Sequence, residues 1–67
     1  MISVTLNGER RQFEAPISCA ELIARLELAG KRVALEKNGE IVPRGRHAEE
    51  SLADGDRLEI VVAVGGG

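Results

Sequence analysis

Two Asn-Gly pairs, at positions 7–8 and 38–39, constrain the fold of this chain more than any other feature of its sequence. Asparagine and glycine both tolerate positive φ angles, which the two-residue turn of a tight β-hairpin requires. Before the first pair, apolar and polar residues alternate over residues 2–6, and a period of two is typical of a strand with one buried face. The sequence therefore predicts a hairpin whose second strand covers residues 9–15. The inward-facing residues of that strand are Phe13 and Ala15.

A single helix is predicted after the first hairpin. Pro16 ends the second strand, and Ser18 is placed to cap a helix with Glu21 three residues later, which is the spacing of a capping box. Apolar residues then recur at i, i+3, i+4 and i+7, and such a stripe indicates a helix that packs on a sheet. The stripe consists of Cys19, Leu22, Ile23 and Leu26. Gly30 is predicted to end the helix in the left-handed conformation.

The second half of the chain is predicted to form three more strands. A strand over residues 33–37 precedes the second Asn-Gly turn, and a short fourth strand over Ile41 and Val42 ends at Pro43, which cannot continue a ladder. After the polar loop RGRHAEES, Gly55 takes a positive φ in the turn before the last strand. The residues of the last strand that alternate inward are Leu58, Ile60, Val62 and Val64.

The predicted order of elements is ββαβββ. This order indicates an α+β fold with a mixed sheet of about five strands packed on one main helix. A chain of 67 residues leaves no room for a second domain. We therefore predict one domain over residues 1–64, followed by a flexible C-terminal glycine tail over residues 65–67.

Length and charge argue against several classes of function. A chain this short buries only about 60% of the surface of its unfolded state, so a deep active-site cleft is hard to build. The sequence has no recognisable nucleophile with a base, paired metal ligands or phosphate-binding loop, and we therefore expect neither an enzyme nor a metal site. The formal net charge of −2 comes from interspersed acidic and basic residues, which argues against nucleic acid as a partner.

The expected setting is the cytoplasm. The first residues lack the apolar run of a secretory signal. Cys19 is the one cysteine of the sequence and has no partner for an internal disulfide. We accordingly expect no membrane partner.

The three glycines at the end of the sequence are not explained by a turn. The last strand is the most apolar of the chain, and we expect it to fix the direction in which the glycines leave the sheet. Gly65 and Gly66 have no side chains and would therefore fit a narrow channel in a partner. The reactive group of Gly67 is its terminal carboxylate, which is a poor electrophile until it is activated. Formation of an acyl-adenylate would supply a good leaving group, and a sulfur nucleophile could then leave a thiocarboxylate on Gly67.

Four features together match one known family over essentially the whole chain. They are the opening strand that ends in Asn7-Gly8, the segment VALEKNGEIVPR over residues 33–44, the segment LADGDRLEIV over residues 52–61, and the terminal glycines. The sequence resembles the ThiS family, the sulfur carriers of thiamine biosynthesis within the β-grasp or ubiquitin-like superfamily. It departs from the family at His47, where members often have an aromatic residue.

The resemblance implies a β-grasp fold and a protein co-substrate that binds no cofactor of its own. Gly67 would be adenylated by an E1-like ThiF-type enzyme, which uses ATP and Mg. It would receive sulfur that originates from a cysteine desulfurase and present the thiocarboxylate to a ThiG-type thiazole synthase. Relatives meet their partners with the outer face of the sheet near the tail. Val61 and Ala63, which the alternation places on that face, are therefore candidate docking residues.

Two other functions remain open from the sequence. One is a MoaD-type sulfur carrier of molybdopterin synthase, which uses the same tail chemistry in another pathway. The other is a ubiquitin-like interaction or modifier module whose tail is attached to lysines.

Other conspicuous residues have simpler interpretations. Cys19 is interpreted as a small apolar residue of the helix stripe rather than as a sulfur relay. His47 is interpreted as a loop residue rather than as a metal ligand. The three arginines are interpreted as ordinary surface charges; they are Arg44, Arg46 and Arg57.

Overall fold

The computed structural model describes residues 1–63 as a five-stranded sheet with one α-helix. The elements are β1 (Ile2–Leu6), β2 (Glu9–Phe13), α1 (Cys19–Arg25), β3 (Val33–Lys37), β4 (Glu40–Val42), a 3₁₀ turn (Arg44–Arg46) and β5 (Arg57–Val62). In space the strands follow the order β2-β1-β5-β3-β4. The β1–β5 pair is parallel and the other pairs are antiparallel. This architecture confirms the predicted ββαβββ order and the mixed sheet.

Both Asn-Gly pairs form the tight turns that the sequence predicts. The φ angles are 50° and 83° at Asn7 and Gly8, and 53° and 86° at Asn38 and Gly39. Positive φ at both central residues is the signature of a type I′ turn, whose twist matches that of the flanking strands. The two hairpins are therefore set by local chemistry.

The second strand is shorter than predicted. Strand β2 ends at Phe13, which pairs with Ile2 at the first residue of β1. The chain reaches Pro16 three residues later, and proline has no backbone N–H to donate to a ladder. The prediction that Ala15 faces inward is wrong, since Ala15 is exposed.

Helix α1 begins as predicted. The backbone N–H of Glu21 donates to Ser18 Oγ at 3.1 Å, and the N–H of Ser18 donates to Glu21 Oε1 at 3.0 Å. This reciprocal pair is a complete capping box, which satisfies two donors that a helix start otherwise leaves unpaired.

The helix ends earlier than predicted, at Arg25 rather than near Gly30. Glu27 takes the left-handed conformation with φ of 60°, and its N–H donates to the carbonyl of Ala24. The N–H of Leu28 donates to the carbonyl of Ile23. These two bonds form a Schellman motif. Leu28 packs against the core to which Ile23 belongs, which offsets the cost of a non-glycine residue at positive φ.

The core lies between α1 and one face of the sheet. Three helix residues of the predicted stripe are buried in it, namely Cys19, Leu22 and Ile23. The strands contribute Val4, Leu6, Leu35, Val42, Leu58 and Ile60, and the connecting segments contribute Ile17 and Leu52. Strand β5 lies at the centre of this sheet, between β1 and β3.

Candidate functional site

The candidate site is the end of β5, where the chain leads toward the terminal glycines. On the β3 side the strand is paired up to its last residue, with Val61 opposite Ala34 and Val62 opposite Val33. The N–H of Ala63 then donates to the carbonyl of Arg32 at 2.9 Å. One flank of β5 is thus hydrogen-bonded as far as the structure describes the chain.

The other flank is held by a side chain rather than by a strand. The last two residues of β1 pair with the first two residues of β5. The chain then turns at Asn7 into the hairpin. The Oδ1 atom of Asn7 accepts from the N–H of Ile60 at 2.8 Å, and its Nδ2 atom donates to the carbonyl of Ile60 at 3.2 Å. The carboxamide therefore replaces the missing strand residue. Sequence reasoning identified Asn7 as a turn residue and missed this second role.

The beginning of β5 is held by a denser network around Asp56, which is buried. Its Oδ1 atom accepts from Asn38 Nδ2 at 3.0 Å, and its Oδ2 atom accepts from the N–H of Ala53 at 2.7 Å. The Oδ1 atom of Asn38 accepts in turn from the N–H of Arg57 at 2.9 Å. The asparagine of the second Asn-Gly turn is thus bonded to the backbone of β5 as that of the first is, but at the first residue of the strand rather than at Ile60.

The outer face of the sheet, away from α1, is exposed near the end of β5. Val61 is 65% exposed, and Ala63 and the facing residue Ala34 are also exposed. Leu58 and Ile60, which alternate with these positions, are buried. The predicted exposure of Val61 and Ala63 is therefore found, whereas their role in docking stays a prediction. Val62, on the inner side, is 37% exposed and lines a surface depression together with Leu26, Leu28 and Ile60.

Several predictions concern residues outside the described part of the chain. These residues are Val64, Gly65, Gly66 and Gly67. The alternation at Val64, the domain boundary after residue 64 and the role of the glycine tail stay predictions.

Cys19 is placed as a structural residue. Its side chain is fully buried, and burial raises the pKa of the thiol above its ordinary value of 9.0. A thiol with a raised pKa stays protonated at neutral pH and is a weak nucleophile. The interpretation of Cys19 as part of the apolar stripe is confirmed.

His47 lies in the loop after the 3₁₀ turn, as predicted, but it is buried, which sequence reasoning missed. Its Nε2 atom lies 3.0 Å from the carbonyl oxygen of Val42. Because a carbonyl only accepts, Nε2 carries the proton and donates. The carbonyl of His47 accepts from the N–H of Ala20 at 2.9 Å. His47 therefore connects the loop to β4 and to the first turn of α1.

The predicted surface arginines are exposed, and their only ion pair within residues 1–63 joins Arg46 to Glu50 at 3.8 Å. In the same part of the chain, no group of three or more His, Cys, Asp or Glu side chains could hold a metal ion. The described residues also include no helix that is long and apolar enough to cross a membrane.

Comparison with known proteins identifies relatives of two lengths. The chain is 45% identical over 63 residues to a protein of Bacillus subtilis named "Sulfur carrier protein ThiS", covering 92% of this chain and 96% of that protein. It is 41% identical over 66 residues to a protein of Paramagnetospirillum magneticum named "Thiazole synthase", covering 98% of this chain. The chain spans 20% of the length of that thiazole synthase.

A solved structure has the same fold. The crystal structure of a thiamine biosynthesis protein (ThiS) from Geobacter metallireducens matches with a TM-score of 0.81 and 29% sequence identity. The match covers 98% of this chain and 100% of that chain, and it confirms the predicted β-grasp fold. Residues 4–67 also match the model of the ThiS family, and the chain therefore belongs to that family.

Proposed function

We propose that this chain is a sulfur carrier for thiazole formation in thiamine biosynthesis and that its working group is the terminal carboxylate of Gly67. Membership of the ThiS family supports the proposal, as does similarity to a relative named as a sulfur carrier. The observation that carries it is the placement of β5, a central strand held on both flanks that ends five residues before Gly67. The chain is then a co-substrate rather than a catalyst.

The proposed chemistry takes place at one carbonyl carbon. The carboxylate of Gly67 attacks the α-phosphorus of ATP, which gives an acyl-adenylate and releases pyrophosphate. A sulfur nucleophile then attacks the carbonyl carbon, and AMP leaves. The product after transfer is a thiocarboxylate. Its sulfur is passed to the thiazole precursor, and an oxygen atom from that precursor or from water takes its place on the carbonyl carbon and regenerates the carboxylate. ATP and Mg belong to the activating partner, and this chain itself supplies the acyl group.

The glycines suit delivery of that group into a narrow tunnel. Four residues follow Ala63, and extended chain adds about 3.3–3.6 Å per residue, so the tail reaches at most about 13–14 Å beyond the last described residue. A tail without Cβ atoms needs a channel only as wide as the backbone. Ordering each residue costs about 1–2 kcal/mol, which favours docking that is readily reversed.

The proposed partners follow from this sequence of reactions. An E1-like ThiF-type enzyme would adenylate Gly67, a cysteine desulfurase would be the indirect source of sulfur, and a ThiG-type thiazole synthase would consume it. The occurrence of a similar segment within a protein named as a thiazole synthase supports the last link. Because the chemistry needs ATP and reduced sulfur, we expect it in the cytoplasm. Val61 and Ala63 are the proposed contacts with the activating enzyme.

The test is mass spectrometry of the protein after incubation with the ThiF-type enzyme, Mg-ATP and a sulfur donor. The expected result is an ATP-dependent exchange of oxygen for sulfur that maps to the C-terminal fragment ending in Gly67. Deletion of Gly67 should abolish it. The Cys19→Ala variant is the matched control, because oxidation of Cys19 or Met1 adds nearly the same mass as the exchange, and this variant should still be modified.

Two results would contradict the proposal. Normal modification of the chain without Gly67 would show that the sulfur is carried elsewhere. An unmodified Gly67 in the presence of competent partners from both the thiamine and the molybdopterin pathways would leave the interaction-module alternative. Transfer of sulfur only with the molybdopterin partners would keep the carrier chemistry and replace the pathway, whereas isopeptide-linked conjugates on gels would indicate a modifier.

A further inference from the structure

The outer face of the sheet carries two glutamates directly opposite each other. Glu36 on β3 pairs with Glu59 on β5 in the antiparallel ladder. Like charges at opposed positions repel each other and destabilise a sheet, since their Cβ atoms lie about 4.5–5.5 Å apart. The ion pairs found within residues 1–63 involve neither glutamate. The fold thus retains an unfavourable pair on an exposed surface.

A depression lies beside this pair and gives room for a further side chain. It is lined by Glu36, Asn38, Gly39, Gly55, Arg57 and Glu59. The two glycines leave it open, because a Cβ atom added at either of them would have nothing within 4 Å. The lining includes both glutamates, and the guanidinium of Arg57 is the one basic group among the lining residues.

Exposed apolar side chains flank the acidic pair. Ile41 on β4 lies opposite Glu36 and is 69% exposed. Val61 follows Glu59 by two residues on the same face and is 65% exposed. Exposed apolar groups beside an opposed pair of like charges suit a docking surface that selects a partner by its opposite charge.

We propose that Glu36 and Glu59 together bind a cationic side chain, a guanidinium or an ammonium, of the activating enzyme, while Ile41 and Val61 contact apolar side chains on either side of it. The inference rests on the proposed function and adds the charge that the partner must present. The acidic pair is well placed for binding the activating enzyme, because Glu59 lies two residues before Val61 on β5, the strand that precedes the tail. A cation bound here would align β5 with the enzyme and thus set where the tail enters.

The experiment measures the dissociation constant for the ThiF-type enzyme by titration at low and at moderate salt. The Glu36→Gln/Glu59→Gln double variant removes both charges and is expected to bind about tenfold more weakly at low salt, with a shallower salt dependence. Its thermal stability should equal or exceed that of the unchanged protein, because the repulsion is removed. Glu49→Gln is the matched control, since Glu49 is exposed in the loop after the 3₁₀ turn, and its affinity should stay within about twofold.

A variant of opposite sign sharpens the test. Arg57→Gln removes the positive charge from the same depression and should tighten binding about threefold if a cation enters there. Weaker binding of Arg57→Gln, or a double glutamine variant that binds within twofold of the unchanged protein, would overturn the inference while leaving adenylation of Gly67 intact. Weaker binding of the double variant with an unchanged salt dependence would overturn it as well. An unchanged protein that is neither bound nor adenylated would instead refute the proposed function itself.

Discussion

The two ends of β5 are each held by the asparagine of an Asn-Gly turn, but they are held to different extents. At the beginning, Asn38 bonds both the backbone of Arg57 and the buried carboxylate of Asp56. Just before this strand, the exposed Asp54 bonds to β1, because its Oδ1 atom accepts from the N–H of Ser3 at 2.7 Å. Toward the far end, the carboxamide of Asn7 bonds only the backbone of Ile60, and the N–H of Asn7 donates to the carbonyl of Leu58. Several side chains thus hold the beginning of the strand, whereas the later part is held on its β1 side by Asn7 alone and on its other side by the ladder with β3.

The beginning of β5 therefore contributes mainly to the stability of the fold, and its end mainly to presentation of the tail to a partner. Regions with few buried contacts open locally at a lower free energy than the core does. The end of β5 includes Val61, 65% exposed, and Val62, 37% exposed, whereas its beginning contains Leu58 and directly follows Asp56, both buried. A carrier needs a firm base that survives repeated docking, together with a leading end that a partner can reach. The uneven support of β5 meets both needs within one strand of six residues.

The largest effect is expected from breaking the network at the beginning of β5. The Asp56→Ala variant removes a buried carboxylate and leaves the N–H of Ala53 and the carboxamide of Asn38, in part-buried bonds, without their acceptor. We expect the free energy of unfolding to fall by about 2–4 kcal/mol, measured by chemical denaturation. Asp54→Ala is the matched control, because its lost bond is exposed and should cost about 1 kcal/mol or less. Equal losses in the two variants would contradict the assigned network.

The next prediction separates the two asparagines. Asn7→Gly and Asn38→Gly keep the positive φ at low cost and remove only the side-chain bonds. Each should lower stability by about 1–2 kcal/mol. Amide hydrogen exchange should distinguish them, since Asn7→Gly exposes the N–H of Ile60 and Asn38→Gly exposes that of Arg57. Faster exchange at both amides in both variants would show that β5 opens as one unit and would remove the contrast between its ends.

Much of this fold can be predicted from the sequence because the deciding interactions are local. The Asn-Gly turns and the capping box of Ser18 and Glu21 lie within four consecutive residues each, and the strand alternation correctly places Val61 on the exposed side. The end of α1 could not be predicted, because Glu27 takes positive φ only where Leu28 can pack against the core.

The contacts that hold and surround the end of β5 could not be predicted from the sequence either, because they join residues that are far apart in it. Asn7 and Ile60 are 53 residues apart, and the opposition of Glu36 and Glu59 depends on the register between β3 and β5. Alternation identifies which residues share a face of one strand, but it does not specify the register between two strands. The composition of the outer face near the end of β5 is therefore known only once the pairing of the strands is known.

A third prediction concerns function at the lightly held end. Val61→Asp places a charge on the exposed outer face and should weaken binding to the activating enzyme about tenfold, and Ala63→Asp should act in the same direction. The free energy of unfolding should change by less than about 0.5 kcal/mol, because Val61 is already 65% exposed. Titration and denaturation of the same samples test both parts. Unchanged affinity in both variants would remove this surface from the proposed function.

The smallest effect should come from the ion pair beside the beginning of β5, and it should depend on pH. Lys37 Nζ lies 2.8 Å from Glu50 Oε2. This hydrogen bond lowers the pKa of Glu50 below its ordinary value of 4.5 and raises the pKa of Lys37 above 10.5. A lowered carboxyl pKa stabilises the fold above the unfolded value, and that contribution is lost as the pH falls through the folded value. The raised lysine pKa contributes below its unfolded value and loses its contribution as the pH rises through the folded one.

Glu50→Gln should therefore lower the melting temperature by a few degrees at neutral pH, and the difference from the unchanged protein should shrink below about pH 4 and above about pH 10.5. Glu49→Gln, one residue earlier and exposed, should show a smaller difference without this bell-shaped dependence. Thermal melts of both proteins at pH 7 and at about four pH units below and above it would measure how this difference depends on pH. A difference at pH 3 as large as that at pH 7 would mean that the pair adds no pH-dependent support to the beginning of β5. The contrast between the two ends of the strand would then rest on Asp56 and the two asparagines alone.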